Sequence, residues 1–200
     1  MDQSLFQYLL RLGDTTLILS QRLCEWCGHG PELEEDLAMT NLSLDLLGQA
    51  RLWLTLAGEV EGRARDEDAL AYLRDAPEYR NYLLAERSNG HYGDTIARQF
   101  FFDVWHYFLL KELSGSADER VAAIAEKSLK EVTYHVRRSS DRMVRLAMAR
   151  QTATPECRPP SNRSGPIWES WLPTTTLRSS WRVSRSRSSM PRCGRPGSSM

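Results

Sequence analysis

Residues 33–61 read LEEDLAMTNLSLDLLGQARLWLTLAGEVE, and this stretch decides the fold. Its apolar residues recur at helical spacing in two sets. One set marks a single face: Leu37, Leu44, Leu47 and Leu54. A second set widens the apolar surface beyond that face: Leu42, Leu46, Trp53 and Leu56. A helix that is apolar around so much of its circumference is typical of the inside of a helical bundle.

The residues on either side of this stretch also predict helices. Apolar positions recur at helical spacing over 4–27, 92–113 and 118–149, with shorter helices over 66–73 and 79–85. Glycine and proline end the first helix at Gly28–Pro31, and Asp118 is a suitable N-cap for the last one. Four long helices with a long central connection predict an all-α, antiparallel four-helix bundle. Four helices packed in another way remain an alternative.

The last fifty residues have a different composition. They hold eight arginines, no lysine and two glutamates, and serine, proline and arginine make up about half of them. We therefore expect a helical domain over 1–150 and a disordered tail over 151–200. The abrupt change is typical of a GC-rich gene read in a shifted frame. The rival interpretation is a genuine Arg/Ser tail that binds nucleic acid or an acidic surface.

Charge and hydropathy exclude several classes of protein. The formal net charge of the chain is zero, and residues 1–150 are mildly acidic, which argues against nucleic acid as the main partner. No apolar run reaches the roughly 20 residues that a membrane span needs, and the first ten residues do not resemble a secretory signal. We expect a cytoplasmic protein with no membrane partner.

Each long helix carries a carboxylate among apolar neighbours near its middle. These candidate site residues are Asp14, Asp45, Asp103 and Glu131. Because buried carboxylates are rare unless they are paired or bind a metal, we expect the four to meet in the bundle centre. One carboxylate per helix is typical of di-iron bundles, in which two helices also supply a histidine three residues after the carboxylate.

Both of those histidines are missing. Gly48 follows Asp45 by three residues, and Tyr134 follows Glu131 by three. We therefore expect a vestigial pocket with no functional metal, in which the carboxylates pair with arginine or with nearby tyrosine and His135. One alternative is that the carboxylates bind a hard cation. Another is that they are ordinary half-exposed residues.

Several motifs resemble one family. They are LSQRL at 19–23, EWCGH at 25–29, LDLLGQAR at 44–51, DTIARQ at 94–99, and Lys130–Glu131 followed by Tyr134–His135. The chain resembles the structural, non-catalytic family of subunits of bacterial phenylacetyl-CoA epoxidase, also called ring-1,2-phenylacetyl-CoA monooxygenase. The resemblance covers about residues 4–146, and family members run longer.

The resemblance implies a ferritin-like fold and a place in a cytoplasmic multicomponent oxygenase of phenylacetate catabolism. It implies that this chain is non-catalytic and holds no cofactor. The expected partner is a sister catalytic subunit, in which the di-iron centre resides. The alternative function is a degenerate carboxylate-metal oxidase that acts through the four carboxylates.

Overall fold

The computed structural model describes residues 3–152, and the side chains of residues 3–148. Four long helices account for most of this part: α1 (Gln3–Cys24), α2 (Leu33–Glu61), α5 (Tyr92–Leu113) and α6 (Glu119–Thr152). Between α2 and α5 lie two short helices, α3 (Glu67–Tyr72) and α4 (Leu83–Glu86), and a 3₁₀ turn at Ala76–Glu78. The described part contains no strand, which confirms the all-α prediction.

Helices α1 and α2 pack against each other in opposite directions. The hydroxyl of Ser20, near the end of α1, donates to the backbone carbonyl of Ser43, in the first half of α2, at 2.9 Å. At the other end of the pair, a Cβ atom on Gly13 would lie 2.7 Å from Cδ2 of Leu54. A side chain at Gly13 would therefore require the Leu54 side chain to shift.

Helix α6 runs antiparallel to α2. The amide of Gln49 donates to Glu131 at 2.8 Å, and Arg138, further along α6, donates to Glu35 near the start of α2 at 2.8 Å. The hydroxyl of Tyr92, at the start of α5, also donates to Glu35. Helices α2 and α5 therefore begin at the same end of the bundle and are parallel. One long crossover between two antiparallel pairs is the ferritin-like topology.

The prediction for the two faces of α2 is only half right. Leu42, Leu46, Trp53, Leu54 and Leu56 are buried in the core. The other members of the first set, Leu37, Leu44 and Leu47, are exposed. The reason is that α2 packs against α1 on one side and α6 on the other, and no described element covers its outer face.

The crossover also differs from the prediction. Residues 79–85 were expected to form a helix, but only Leu83–Glu86 is helical. The backbone N–H of Arg80 donates to Asp14 at 2.8 Å, and that of Tyr82 donates to the hydroxyl of Thr15 at 3.1 Å. These N–H groups donate to side chains of α1, whereas in a helix they would donate to backbone carbonyls four residues earlier.

The bounds of α2 and α5 match the sequence prediction, and α1 ends three residues earlier than predicted. Asp118 caps α6, since its carboxylate accepts from the backbone N–H of Arg120 at 2.9 Å. The predicted tail lies outside the described residues, apart from the last two residues of α6. No helix in the described part is long and apolar enough to cross a membrane.

A buried ion pair ties the crossover to α1. Asp14 is fully buried, and the guanidinium of Arg74, which is 8% exposed, forms two hydrogen bonds with its carboxylate. Arg74 also donates to the backbone carbonyls of Leu70 and Glu78. One arginine thus holds α3 and the 3₁₀ turn of the crossover against the middle of α1.

Replacing Arg74 with methionine tests this link. Arg74→Met leaves the Asp14 charge buried without its main partner, so we expect a loss of about 3–5 kcal/mol in the free energy of unfolding. Urea denaturation followed by circular dichroism measures it. The control is Arg120→Met, which breaks an exposed ion pair with Asp118 and should change stability little. Equal effects of the two variants would contradict the assignment.

Candidate functional site

The structure does not bring the four predicted carboxylates into one group. Asp14 is committed to Arg74 and to the N–H of Arg80. The other three lie around α6, and each is bonded to a different protein side chain. Asp14 pairs with an arginine and Asp45 with His135, which are two of the contacts that the sequence interpretation expected of these carboxylates.

Asp45 and Glu131 are half-buried and form a reciprocal pair of contacts between α2 and α6. Nε2 of His135 lies 2.9 Å from Oδ2 of Asp45, and Nε2 of Gln49 lies 2.8 Å from Oε2 of Glu131. Each helix thus supplies one carboxylate and, four residues later, the side chain that bonds to the carboxylate of the other helix. Two residues four apart lie on the same helix face, which is why both contacts form at once.

Asp103 has a different environment on α5. It is fully buried, and the amide of Gln99 donates to its Oδ1 at 2.7 Å. Burial raises the pKa of Asp103 to about 7, while contacts with Gln99 and Ser139 and the charge of Arg138 act in the opposite direction. Burial therefore favours the protonated form of this carboxyl.

Two histidines that lie near one another complete the polar interior. His106 is buried, and burial lowers its pKa to about 3, with a further lowering from His135. Burial lowers the pKa of His135 as well, and the Asp45 carboxylate acts against that change. Both imidazoles are thus neutral around pH 7, which suits hydrogen bonding inside a bundle.

The two positions that follow Asp45 and Glu131 by three residues lie on the surface of the bundle. Gly48 is exposed, and a Cβ atom there would meet nothing within 4 Å. Tyr134 is also exposed. The inward positions are four residues after each carboxylate, at Gln49 and His135. Gly48 and Tyr134 therefore lie on the outer surface and do not occupy former ligand positions in the interior.

The interior does not fit a di-iron centre. Oδ2 of Asp103 and the Nδ1 atoms of His106 and His135 are buried without a hydrogen-bond partner among the described residues. These are ligand-type atoms, but no three His, Cys, Asp or Glu side chains in the described part gather as a metal-binding group. Asp14, the carboxylate expected from α1, is already bonded to an arginine.

A second polar cluster closes the end of the bundle where α2 begins. Glu35 is buried and accepts from Tyr92, Arg138 and Arg142. A cleft of about 370 Å³ opens beside it, between the start of α2 and the second half of α6. Besides Glu35, its lining includes Tyr134, Asp141 and several arginines, so the cleft is strongly polar.

Sequence reasoning missed Gln49, Gln99, Ser139 and the Glu35 cluster. A signal for them was present, because each is a polar residue at an inward position of its helix. Such a position predicts a buried hydrogen-bonding group. The partner of each group depends on which helices meet, and this information comes only from the fold.

Comparison with known proteins agrees with this architecture. Residues 1–158 match the family model described as Phenylacetic acid catabolic protein. The chain belongs to this family. It is also similar to the C subunit of 1,2-phenylacetyl-CoA epoxidase of Escherichia coli (strain K12), with 55% identity over 139 residues. The match covers 70% of the chain and 56% of that protein, so the chain spans little more than half of its relative's length.

The resemblance seen in the sequence is thereby confirmed at the level of the family. The relative is named as one subunit of an epoxidase. The family is described by its part in phenylacetic acid catabolism.

Replacing Asp103 with asparagine tests the electrostatics of the interior. Below about pH 4 the carboxyl is protonated in the folded and the unfolded chain. Between pH 4 and pH 7 the unfolded chain loses this proton first, so the parent loses stability relative to Asp103→Asn. We expect the variant to gain a few kcal/mol over this window, at about 1.4 kcal/mol per pKa unit. Urea denaturation at several pH values measures the difference, and a constant difference from pH 4 to pH 8 would contradict the account.

Proposed function

We propose that this chain is a non-catalytic structural subunit of a phenylacetyl-CoA epoxidase. In this role it pairs with the di-iron catalytic subunit in the aerobic breakdown of phenylacetate. The chain contributes a rigid helical surface, and the oxidation takes place on its partner. The activity and the partner are inferred from the family and from the similar epoxidase subunit of Escherichia coli.

The observation that carries the proposal is that three of the four candidate carboxylates are bonded to protein side chains. Asp14 is neutralised by Arg74, Asp45 is bonded to His135, and Glu131 accepts from Gln49. A di-iron enzyme of this fold uses the equivalent positions as metal ligands. Here the same type of residue holds the helices together, as expected of a bundle that has kept its fold for assembly.

Three further parts of the proposal follow from the same reasoning. The chain holds no metal or other cofactor of its own, and the iron resides in the catalytic subunit. The complex works in the cytoplasm. Neither nucleic acid nor a membrane is a partner of this chain.

Co-purification tests the pairing. The full chain is expressed with the catalytic subunit from the same source and passed over a sizing column, and we expect the two to co-elute. A longer relative expressed with its own catalytic subunit serves as the control. Separate elution, with the control still paired, would contradict the pairing role for this chain.

A second experiment tests the non-catalytic role. In the reconstituted enzyme, Glu131→Gln removes a carboxylate that would be essential if this chain bound the catalytic metal, while it keeps a side chain of the same size. We expect unchanged kcat and KM for epoxidation, because Glu131 only bonds to Gln49. Loss of kcat in a complex that still assembles would support the alternative, a carboxylate-metal oxidase within this chain.

A further inference from the structure

A pair of cysteines lies in the turn that follows α1. Cys24 is the last residue of α1, Cys27 is three residues later, and both are free and exposed. The backbone N–H of Cys27 donates to the carbonyl of Cys24 at 3.0 Å, which closes a four-residue turn. Such a turn keeps its first and last Cα atoms within about 7 Å, and disulfides join Cα atoms roughly 4.4–6.8 Å apart. The hydrogen-bonded turn therefore places the two cysteines within disulfide range.

The rest of the protein holds this turn in place. The indole of Trp26, between the two cysteines, donates to the hydroxyl of Thr95 on α5 at 3.0 Å. The backbone N–H groups of Gly28 and Gly30 donate to the carboxylate of Asp36 on α2 at 2.7 and 3.2 Å. The turn is thus tied to α2 and to α5, and the cysteines stay close without a covalent link. Preorganisation of this kind lowers the entropy cost of joining them.

The contacts of Cys24 leave its sulfur able to move. Sγ of Cys24 lies 2.8 Å from the hydroxyl of Ser43 on α2. Ser43 is also bonded to Ser20, whose backbone carbonyl accepts from the Ser43 hydroxyl at 3.2 Å. When the Cys24 side chain turns toward Cys27, Ser43 keeps this second bond, and the link between α1 and α2 is preserved.

We propose that Cys24 and Cys27 form a reversible disulfide, so that the turn after α1 is a redox modification site. A metal site fits less well, because no three His, Cys, Asp or Glu side chains within residues 3–148 gather as a metal-binding group. A disulfide needs only the two sulfurs. It closes a loop of four residues, which adds little stability, and it lies at the surface. Exposed disulfides are easily reduced, which is typical of regulatory ones.

A small-molecule disulfide, oxidised glutathione, serves as the oxidant. The thiolate of one cysteine attacks a sulfur of oxidised glutathione, a mixed disulfide forms, and the first glutathione leaves as a thiolate. The thiolate of the second cysteine then attacks the protein sulfur of the mixed disulfide and releases the second glutathione. The two cysteines lose two electrons and two protons, and oxidised glutathione becomes two molecules of glutathione. This chemistry takes place in the isolated chain and does not depend on the proposed function.

Peptide mapping of the full chain tests the disulfide. Cys157 and Cys193 are first replaced with serine, so that Cys24 and Cys27 are the only cysteines left. The folded chain is equilibrated with oxidised and reduced glutathione, alkylated, and digested with trypsin, which leaves residues 23–51 in one peptide. We expect this peptide to be two hydrogens lighter than its reduced form and to carry no alkyl group, and dithiothreitol should reverse the change. Two alkylated cysteines, or glutathione on both, would overturn the proposal.

Single variants show whether each cysteine needs the other. In Cys24→Ser and in Cys27→Ser the remaining cysteine should keep one bound glutathione, because no second thiol is present to release it. Circular dichroism melts check that both variants still fold. Release of the bound glutathione from either variant as fast as from the parent would overturn the proposal.

Unfolding the chain tests the part played by the turn. At a fixed concentration of reduced glutathione, the folded chain should be half oxidised at a concentration of oxidised glutathione at least about tenfold lower than the chain unfolded in urea. The reason is that the folded turn holds the two cysteines close together. Equal concentrations for the folded and the unfolded chain would contradict a disulfide site formed by this turn.

Discussion

A carboxylate inside a helical bundle must have a partner, and this constraint shapes the whole molecule. An unpaired ionised group in an apolar interior costs far more free energy than a folded domain has to spare. The chain meets the requirement in three ways. Arg74 neutralises Asp14, side chains from neighbouring helices bond to Asp45 and Glu131, and burial favours the protonated form of Asp103.

Each of these solutions has a structural consequence. The Arg74 ion pair draws the crossover against α1, where the backbone N–H groups of Arg80 and Tyr82 donate to side chains of α1. The two contacts between α2 and α6 fix the register of these helices, because a shift of one turn would break both. Asp103 makes the stability of the bundle depend on pH, in the opposite sense to His106, whose lowered pKa favours the neutral imidazole. The interior therefore functions as a specific set of helix contacts.

The sequence predicted the helices well because their signals are local. Apolar spacing and breakers such as Gly28–Pro31 placed the ends of α2 and α5 correctly, and Asp118 was recognised as a cap. The sequence also identified the carboxylates as the residues of interest. It also named arginine and His135 as partners for them, and the structure pairs Asp14 with Arg74 and Asp45 with His135. It could not identify which arginine pairs with Asp14, since Arg74 lies sixty residues away on the crossover. The exposed side of α2 was missed for a related reason: apolar residues look alike whether they pack within a chain or against another one.

The metal content of the purified chain tests the central claim most directly. The full chain is produced in iron-supplemented medium, purified without chelators, and analysed for iron, manganese and zinc per chain. The account predicts well under one metal ion per chain, with no change in Asp45→Asn or Glu131→Gln, because these carboxylates are already bonded to protein side chains. About two irons per chain, lost in either variant, would contradict it and would make the chain a di-iron protein in its own right.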